Sequence, residues 1–115
     1  MRHHNSVRKF GRPSNQRKAL LNSLARSLVL AGRIETSEAK AKELRPLIEK
    51  MVTKSITPTV AKTRTLVAKI GADAEKKLRE TISPKYKDQN GGYTRIIKLS
   101  QVRTDASKQA VIEFI

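Results

Sequence analysis

The chain contains no cysteine, so it can form neither a disulfide framework nor a zinc site with thiolate ligands. It has no tryptophan, and its aromatic residues are two tyrosines and two phenylalanines. No apolar run approaches the roughly 18 residues that are needed to cross a bilayer. The sequence therefore predicts no membrane-spanning helix, and the lack of thiols is compatible with a reducing compartment.

Positive charge is what the sequence has in excess. The 115 residues include 25 lysines and arginines against 10 aspartates and glutamates, which gives a formal charge of +15. Self-repulsion at this charge destabilises a compact state in isolation, and a polyanionic partner would relieve it. Nucleic acid is the commonest such partner, and an anionic membrane surface is the second.

The positive charge is concentrated near the N-terminus. Residues 1–34 contain no acid, and Glu35 is the first carboxylate. After Glu35, acids and bases alternate as on an ordinary solvated surface. An acid-free segment with arginine and serine is also typical of an organellar transit peptide, although removal of residues 1–32 would delete the strongest predicted helix.

The length fits one domain with a modest core. Residues 1–13 carry Val7 and Phe10 as isolated apolar side chains without periodicity, so they cannot bury themselves. We expect a basic, extended N-terminal arm over residues 1–13 and one globular domain over residues 14–115.

Apolar residues at spacings of three and four predict four amphipathic helices in this domain. Ser14 or Asn15 can cap the first helix, and Gly32 is placed to end it. The second helix contains Pro46, which removes a backbone hydrogen bond and predicts a kink or a division after Arg45.

The third and fourth helices are shorter. The third is predicted to begin near Pro58, to turn Val60 inward and to end at Gly71. Asp73 is a candidate cap for the fourth, and the sequence SPK at residues 83–85 is predicted to end it.

Three β-strands complete the prediction. The β-branched sequence RIETS at residues 33–37 indicates a short strand. Two further runs, at residues 93–102 and 109–115, are joined by the polar sequence RTDASK and indicate a hairpin. The order α-β-α-α-α-β-β is typical of an α+β domain in which four helices pack on a small sheet.

Two tyrosines flank a pair of glycines where the last strands begin. Gly91 and Gly92 allow positive φ and the close approach of another backbone, including a sugar-phosphate chain. We predict that one of them adopts such a conformation, and that Tyr93 and Arg95 then point in different directions. Tyrosine faces with neighbouring cations suit folded RNA. Packing of Tyr93 on a helix is an equally supported alternative.

Basic side chains that fit phosphate groups are found in the arm, the first helix and the glycine loop. The residues predicted to contact nucleic acid are Arg2, His3, His4, Arg8, Lys9, Arg12, Arg17, Lys18, Arg26, Lys85, Tyr86, Lys87, Gly91, Gly92, Tyr93 and Arg95.

No catalytic or metal site is predicted. His3 and His4 are neighbours in the arm, so their side chains do not converge, and no acid or cysteine cluster completes a metal shell. No phosphate-binding or dinucleotide-binding fingerprint occurs. We expect no cofactor and no small-molecule substrate. Two alternatives stay open at this point, a free-standing architectural protein that binds nucleic acid and a small basic ribonuclease.

Three motifs resemble bacterial large-subunit ribosomal protein seventeen. They are Met1-Arg2-His3, the sequence AKAKELR at residues 39–45 and the sequence GGYTR at residues 91–95, and their order and spacing match over nearly the whole chain. The match from Met1 also counts against a cleaved transit peptide.

The resemblance implies a structural protein of the large subunit of the cytoplasmic ribosome, not an enzyme. It implies one copy per ribosome rather than a homo-oligomer, bound to ribosomal RNA. Other ribosomal proteins near the polypeptide exit region would be its neighbours. It also implies that the hairpin closes a three-stranded mixed sheet.

Overall fold

The computed structural model describes residues 14–102 and 108–115. Four helices, two further helical turns and three strands follow one another along the chain. The helices are α1 (Ser14–Ala31), α2 (Glu38–Ile56), α3 (Val60–Ile70) and α4 (Ala72–Lys77). A π-helical turn (Leu78–Ile82) and a 3-10 turn (Ser83–Tyr86) follow α4, and the strands are β1 (Arg33–Ser37), β2 (Thr94–Val102) and β3 (Lys108–Phe114). The predicted α+β class and element order are confirmed, and the predicted arm lies outside the described residues.

Helix α1 ends where the sequence predicts. Its residues Ala25, Leu28 and Val29 are fully buried against the other helices. Gly32 then takes a φ of 81° and donates its N–H to the carbonyl oxygen of Leu28 over 2.7 Å. This geometry satisfies a carbonyl group at the helix end and requires a residue that tolerates positive φ.

Helix α2 is continuous from Glu38 to Ile56, so of the two outcomes predicted at Pro46, a kink or a division after Arg45, the division does not occur. The Ser37 hydroxyl group caps the helix by accepting a hydrogen bond from the N–H of Lys40. Pro46 lies on the exposed side, so the carbonyl group that loses its helical partner can be solvated. The buried face is unaffected and consists of Ala41, Leu44, Ile48, Met51, Val52 and Ser55.

The segment after α2 departs from the prediction in three details. Val60 was expected to turn inward, but it is 68% exposed because it stands in the first turn of α3, at the edge of the core. Helix α4 ends at Lys77 and the π-helical turn after it ends at Ile82, directly before the predicted stop at residues 83–85, but a separate 3-10 turn with Pro84 in its first turn follows. Gly71, not Asp73, is the residue before α4.

The sheet has the order β1-β3-β2, and both strand pairs are antiparallel. The expectation of a mixed sheet is therefore wrong. Gly32, just before β1, accepts a hydrogen bond from the N–H of Phe114 at the end of β3. Because β1 starts beside the end of β3, the two strands run in opposite directions.

The helices cover one face of this sheet. Ile34, Ile112 and Ile96 stand side by side across the three strands and pack toward the helices. In each strand, the side chain next to one of these isoleucines points to the opposite face of the sheet. Arg33, Glu113 and Arg95 therefore form a row on the outer face. Within the described residues, no helix is long and apolar enough to cross a membrane.

Candidate nucleic-acid interface

The glycine loop, residues 87–93, has a fixed shape. Gly91 and Gly92 have φ angles of 95° and 68°, as the sequence predicts. The side-chain amide of Gln89 donates to both of their carbonyl oxygens, over 2.8 and 2.9 Å. A Cβ atom on Gly91 would meet nothing within 4 Å, so glycine is needed here for its conformation and the loop surface stays open.

The two tyrosines form part of the core. Tyr93 is 1% exposed and Tyr86 is 5% exposed, and their ring centroids lie 5.2 Å apart at an angle of 53°. The Tyr93 hydroxyl group donates to the carbonyl oxygen of Gln89 over 3.1 Å and lies 3.2 Å from the hydroxyl oxygen of Thr53. Burial also raises the pKa of Tyr86. Neither ring face is open to a base, so we revise the hypothesis that the tyrosines stack on RNA and assign them a structural role.

Arg95 points outward, whereas Tyr93 points inward, and the predicted difference in direction is confirmed. The Arg95 side chain is 58% exposed, and its Nε donates to Oε1 of Glu113 over 2.7 Å. Arg33 approaches the other carboxylate oxygen of Glu113 to 3.8 Å. One carboxylate thus stands between two arginines, and this row on the outer face keeps a net positive charge.

Lys85 and Lys87 flank the last helical turn and are both exposed. They belong to the same end of the molecule as the glycine loop, because Gln89 donates its N–H to the carbonyl oxygen of Tyr86. The described part of the chain gives neither lysine an ion-pair partner. Lys85, Lys87, Gly91, Gly92 and Arg95 follow one another along the segment from the last helical turn to β2, and we call this set the loop patch.

The basic residues of α1 lie elsewhere. Lys18 is exposed and Arg17 is partly exposed in the first turns of the helix, whereas the other end of α1 contacts Lys77, which donates to the carbonyl oxygen of Leu30. About 1.5 Å of rise per residue puts roughly 18 Å of helix between Lys18 and Leu30. Lys77 and Lys85 line the same cleft, so Arg17 and Lys18 lie toward the opposite end of α1 from Lys85 and form a separate α1 patch.

Arg26 is committed to the fold. Its Nη1 donates to the carbonyl oxygen of Ile70 over 2.8 Å, and its two terminal nitrogens reach the two carboxylate oxygens of Asp73 over 2.6 and 2.8 Å. The hydrogen bond to Arg26 lowers the pKa of Asp73 to about 2. This bidentate contact ties α1 to the junction of α3 and α4, so we assign Arg26 a structural role.

Six predicted contact residues cannot be placed. They lie outside the described residues and are Arg2, His3, His4, Arg8, Lys9 and Arg12. In the part of the chain that the structure describes, no group of His, Asp or Glu side chains is arranged to hold a metal ion.

The sequence analysis missed two lysines on α2. Lys50 and Lys54 line a cleft of about 600 Å³ between α2 and the glycine loop. They were passed over because the residues after Glu35 were interpreted as an ordinary solvated surface. Their spacing of four residues, away from the apolar stripe of α2, is the signal that could have identified them.

Comparisons with known proteins agree with the resemblance of the motifs. The model of the family described as ribosomal protein L17 matches residues 20–115. The chain belongs to the ribosomal protein L17 family. Its members are structural ribosomal proteins, so the interpretation as a ribonuclease is discarded.

Full-length relatives support this membership. The large ribosomal subunit protein bL17 of Nautilia profundicola is 45% identical over 120 residues, covering 100% of this chain and 98% of the relative. The protein of the same name from Campylobacter jejuni serotype O:23/36 is 46% identical over 116 residues, with 100% and 99% covered. That of Shouchella clausii is 45% identical over 116 residues, with 93% and 97% covered. The expectation of a structural protein of the large subunit of the cytoplasmic ribosome is confirmed.

Most acidic side chains of this L17 family member already have basic partners within the protein. Glu38, for example, lies 2.9 Å from Lys42 and 3.5 Å from Lys98, and the hydrogen bond to Lys42 lowers the pKa of Glu38. The acids in such ion pairs are Glu38, Glu49, Asp73, Glu75, Glu80 and Glu113. Across residues 14–102 and 108–115, no acid is paired with Arg17, Lys18, Lys85 or Lys87. Arg17, Lys18, Lys85 and Lys87 therefore contribute to the excess positive charge of the surface, and so do exposed lysines outside the two patches, such as Lys50.

Proposed function

We propose that the chain binds and stabilises folded large-subunit ribosomal RNA, as one copy per subunit, through two basic surfaces. The observation that carries this proposal is the division of charge. Acids are mostly paired inside the protein, whereas the lysines of the loop patch and both cations of the α1 patch have no acidic partner among the described residues. Unpaired cations can neutralise phosphates and release the counterions of the RNA.

The separation of the two patches gives the binding a structural purpose. A rigid body with cations at both ends can bridge two RNA segments, and it then stabilises the arrangement in which both are bound. The arm residues Arg2, His3, His4, Arg8, Lys9 and Arg12 precede the α1 patch in sequence, and we assign them to the same RNA segment.

The loop patch supplies the closer contact. Gly91 and Gly92 have no side chains and no neighbour that would crowd an added Cβ on Gly91, so a sugar-phosphate backbone can approach the loop. Lys85 and Lys87 precede the two glycines in the chain and Arg95 follows them, and these exposed cations add to the attraction of the loop for phosphate. Arginine and lysine contacts to phosphate position a protein without reading base sequence, and we expect weak sequence preference from them.

The same proposal includes protein neighbours. From the resemblance, we infer that the chain stands near the polypeptide exit region beside other large-subunit proteins. Cross-linking of intact large subunits through exposed lysines such as Lys69 and Lys76, followed by mass spectrometry, tests this part. Cross-links confined to proteins far from the exit region would contradict it.

Sedimentation of cell extracts through sucrose gradients tests the RNA-binding proposal. We expect the chain to co-sediment with the large subunit in equimolar amount. It should stay bound to the subunit at moderate salt. A free-standing architectural protein would stay near the top of the gradient or would bind unrelated duplexes equally well.

Purified protein and large-subunit ribosomal RNA give the second test. Changing Arg17, Lys18, Lys85 and Lys87 to alanine should lower the slope of log affinity against log salt by roughly 3, from about 0.7–0.9 for each phosphate contact. Lys69→Ala with Lys76→Ala is the control, compared per charge removed, because both lysines are exposed and outside the patches. An equal change in slope for the control would place the RNA elsewhere on the protein.

A further inference from the structure

A second stripe on α2 faces the glycine loop. Pro46, Glu49, Lys50, Thr53 and Lys54 are spaced by three and four residues, so they share one side of the helix. This side is distinct from the apolar face that packs into the core. Together with Asn90, Gly91 and Tyr93, the stripe lines the cleft of about 600 Å³, which we call the α2 cleft. That volume falls within the range of small-molecule and cofactor sites in proteins.

The rim of the α2 cleft is positively charged. Lys50 and Lys54 are four residues apart on the helix, an arrangement in which like charges repel each other. Among the described residues neither lysine has an ion pair or a hydrogen bond from its side chain. The acid beside them is engaged elsewhere, because Oε2 of Glu49 accepts from the hydroxyl group of Thr94 over 3.0 Å and lies 3.7 Å from Nε of Arg45. An anionic ligand would relieve the repulsion between the lysines.

The walls of the cleft are largely apolar and well fixed. The Pro46 ring and the methylene stems of the two lysines stand on the α2 side. On the other side Gly91 presents bare backbone, since the Gln89 amide holds its carbonyl group in place. The floor is formed by Tyr93, whose hydroxyl group contacts Thr53. Apolar walls beneath a cationic rim match the chemistry of a base joined to phosphates.

A polar group stands at the loop side of the cleft. Asn90 is exposed, and its side-chain amide has no hydrogen-bond partner among the described residues. An amide has two donors and one acceptor oxygen, so it can pair with the edge of a base. The same chain segment therefore offers a backbone wall and a group that can contact a base edge.

We propose that the α2 cleft binds one unstacked nucleotide of RNA, an inference that rests on the proposed function. The base lies between Pro46 and Gly91 with its edge toward Asn90, and the flanking phosphates contact Lys50 and Lys54. Single-stranded and bulged segments of folded RNA present bases in this form, whereas a continuous duplex does not.

Short RNA probes and the isotope-labelled full chain test this proposal by nuclear magnetic resonance. Hexauridylate and hexaadenylate should shift the amide signals of Thr53, Asn90 and Gly91, and a six-base-pair RNA duplex should not. A hexamer of ribose phosphates without bases should bind more weakly by on the order of tenfold, the loss expected when roughly 55 Å² of apolar base surface is no longer buried. Equal binding of the hexamer without bases would reduce the site to a phosphate contact and overturn the proposal.

Variants locate the binding. Lys50→Ala with Lys54→Ala should lower the salt slope for hexauridylate by about 1.4, from roughly 0.7 per phosphate on a single strand. Asn90→Ala should reduce the difference in affinity between hexauridylate and hexaadenylate. Lys69→Ala with Lys76→Ala removes the same charge elsewhere and should leave the shifts at Asn90 and Gly91 unchanged. If this control weakens binding as much as the cleft variant does, the cleft is not the site.

The remaining outcomes are also decisive. Hexaglutamate that shifts the same signals as strongly as RNA would identify a site for acidic peptides and overturn the nucleotide proposal. If the hexamers do not bind while large-subunit ribosomal RNA binds with its full salt slope, this inference fails and the proposed function stands. If neither the hexamers nor large-subunit ribosomal RNA binds, the proposed function is contradicted as well.

Discussion

Arg26 and Asp73 form a bidentate ion pair between helices that are far apart in sequence, with contacts of 2.6 and 2.8 Å. The guanidinium group also donates to the carbonyl oxygen of Ile70, the last residue of α3. One side chain of α1 therefore fixes both the end of α3 and the beginning of α4. The hydrogen bond from Arg26 keeps the pKa of Asp73 at about 2, compared with its ordinary value of 3.8.

The first prediction concerns acid. A carboxylate whose pKa is lower in the folded protein stabilises it above the unfolded pKa, and this stabilisation is lost as the pH falls through the folded pKa. We expect Asp73→Asn to lower the melting temperature by a constant amount near neutral pH. The difference from the unchanged protein should shrink as the pH falls from about 4 to about 2. Thermal melts monitored by circular dichroism across this interval provide the measurement.

Asp88→Asn is the control for the acid prediction. Asp88 is exposed and is not in an ion pair within the described residues. Asp88→Asn should change the melting temperature little. The difference in melting temperature between this variant and the unchanged protein should not shrink as the pH falls, as it should for Asp73→Asn. A constant effect of Asp73→Asn down to a pH of about 2 would show that the pair contributes nothing to acid sensitivity.

The second prediction concerns Gly71, which has φ 88° and ψ 161°, a combination that is almost restricted to glycine. A Cβ atom there would lie 2.6 Å from Nη1 of Arg26. Gly71→Ala should therefore cost about 1–3 kcal/mol in backbone strain and should also displace Arg26 from Asp73. Gly91→Ala has the strain without the clash and should be less destabilising. Urea denaturation of both variants measures the difference.

A double-mutant cycle separates the two costs at Gly71. In a protein with Arg26→Ala, the Cβ atom that Gly71→Ala introduces meets no guanidinium group, so the backbone strain and a 3.2 Å approach to Oδ1 of Asp73 remain. Gly71→Ala should therefore cost less free energy in this background than in the unchanged protein. Equal costs in the two backgrounds would mean that Arg26 moves aside without losing its contacts.

The third prediction concerns the Tyr93 hydroxyl group. Tyr93→Phe keeps the buried ring but removes the contacts with Gln89 and Thr53. We expect a loss of about 0.5–1.5 kcal/mol in the free energy of unfolding, the usual net value of a hydrogen bond. The salt slope of binding to ribosomal RNA should not change, because the ring is buried. If Tyr93→Phe left the stability unchanged and weakened RNA binding, Tyr93 would be an RNA-contacting residue and not a structural one.

The fourth prediction concerns Arg95. Arg95→Ala should weaken RNA binding by about 1–3 kcal/mol, the size of a charge-assisted contact. Thermal stability should change little, because the arginine is exposed and Glu113 keeps Arg33 as a partner. Filter binding and thermal melts measure the two effects. If the variant melts early and still binds RNA fully, Arg95 is a structural residue.

Apolar periodicity predicts the helices well because it reports which side of a segment is buried. Leu28 and Val29 on α1 and Ile48 on α2 are buried as their spacing indicates. Periodicity does not show where a helix leaves the core, which is why Val60 was misplaced. It also contains no information on strand direction, and that depends on how Gly32 and Phe114 meet in three dimensions.

The candidate site was harder to predict for a related reason. The sequence shows that Arg26 and Tyr93 have side chains suited to RNA. It does not show that, in the folded protein, Arg26 binds Asp73 and the Tyr93 hydroxyl group contacts Thr53. The partners of Arg26 and Tyr93 are separated from them by 47 and 40 positions in the chain. For exposed residues without an ion-pair partner among the described residues, such as Lys85, the prediction of RNA contact that rests on their charge still stands. The positive φ of a loop glycine was predictable because the residue type alone permits it.

The central position of β3 has a consequence for folding during synthesis. Strands β1 and β2 do not pair with each other, and each needs β3 as its neighbour. A growing chain that has not yet reached Lys108 therefore contains helices but neither of the strand pairs of the finished sheet. The pairing of β1 with β3 is long-range and therefore slow, because the intervening chain must close into a loop before any contact is gained. Truncation of β3 should accordingly leave helical chains with two unpaired strand segments, which are prone to aggregate rather than to assemble.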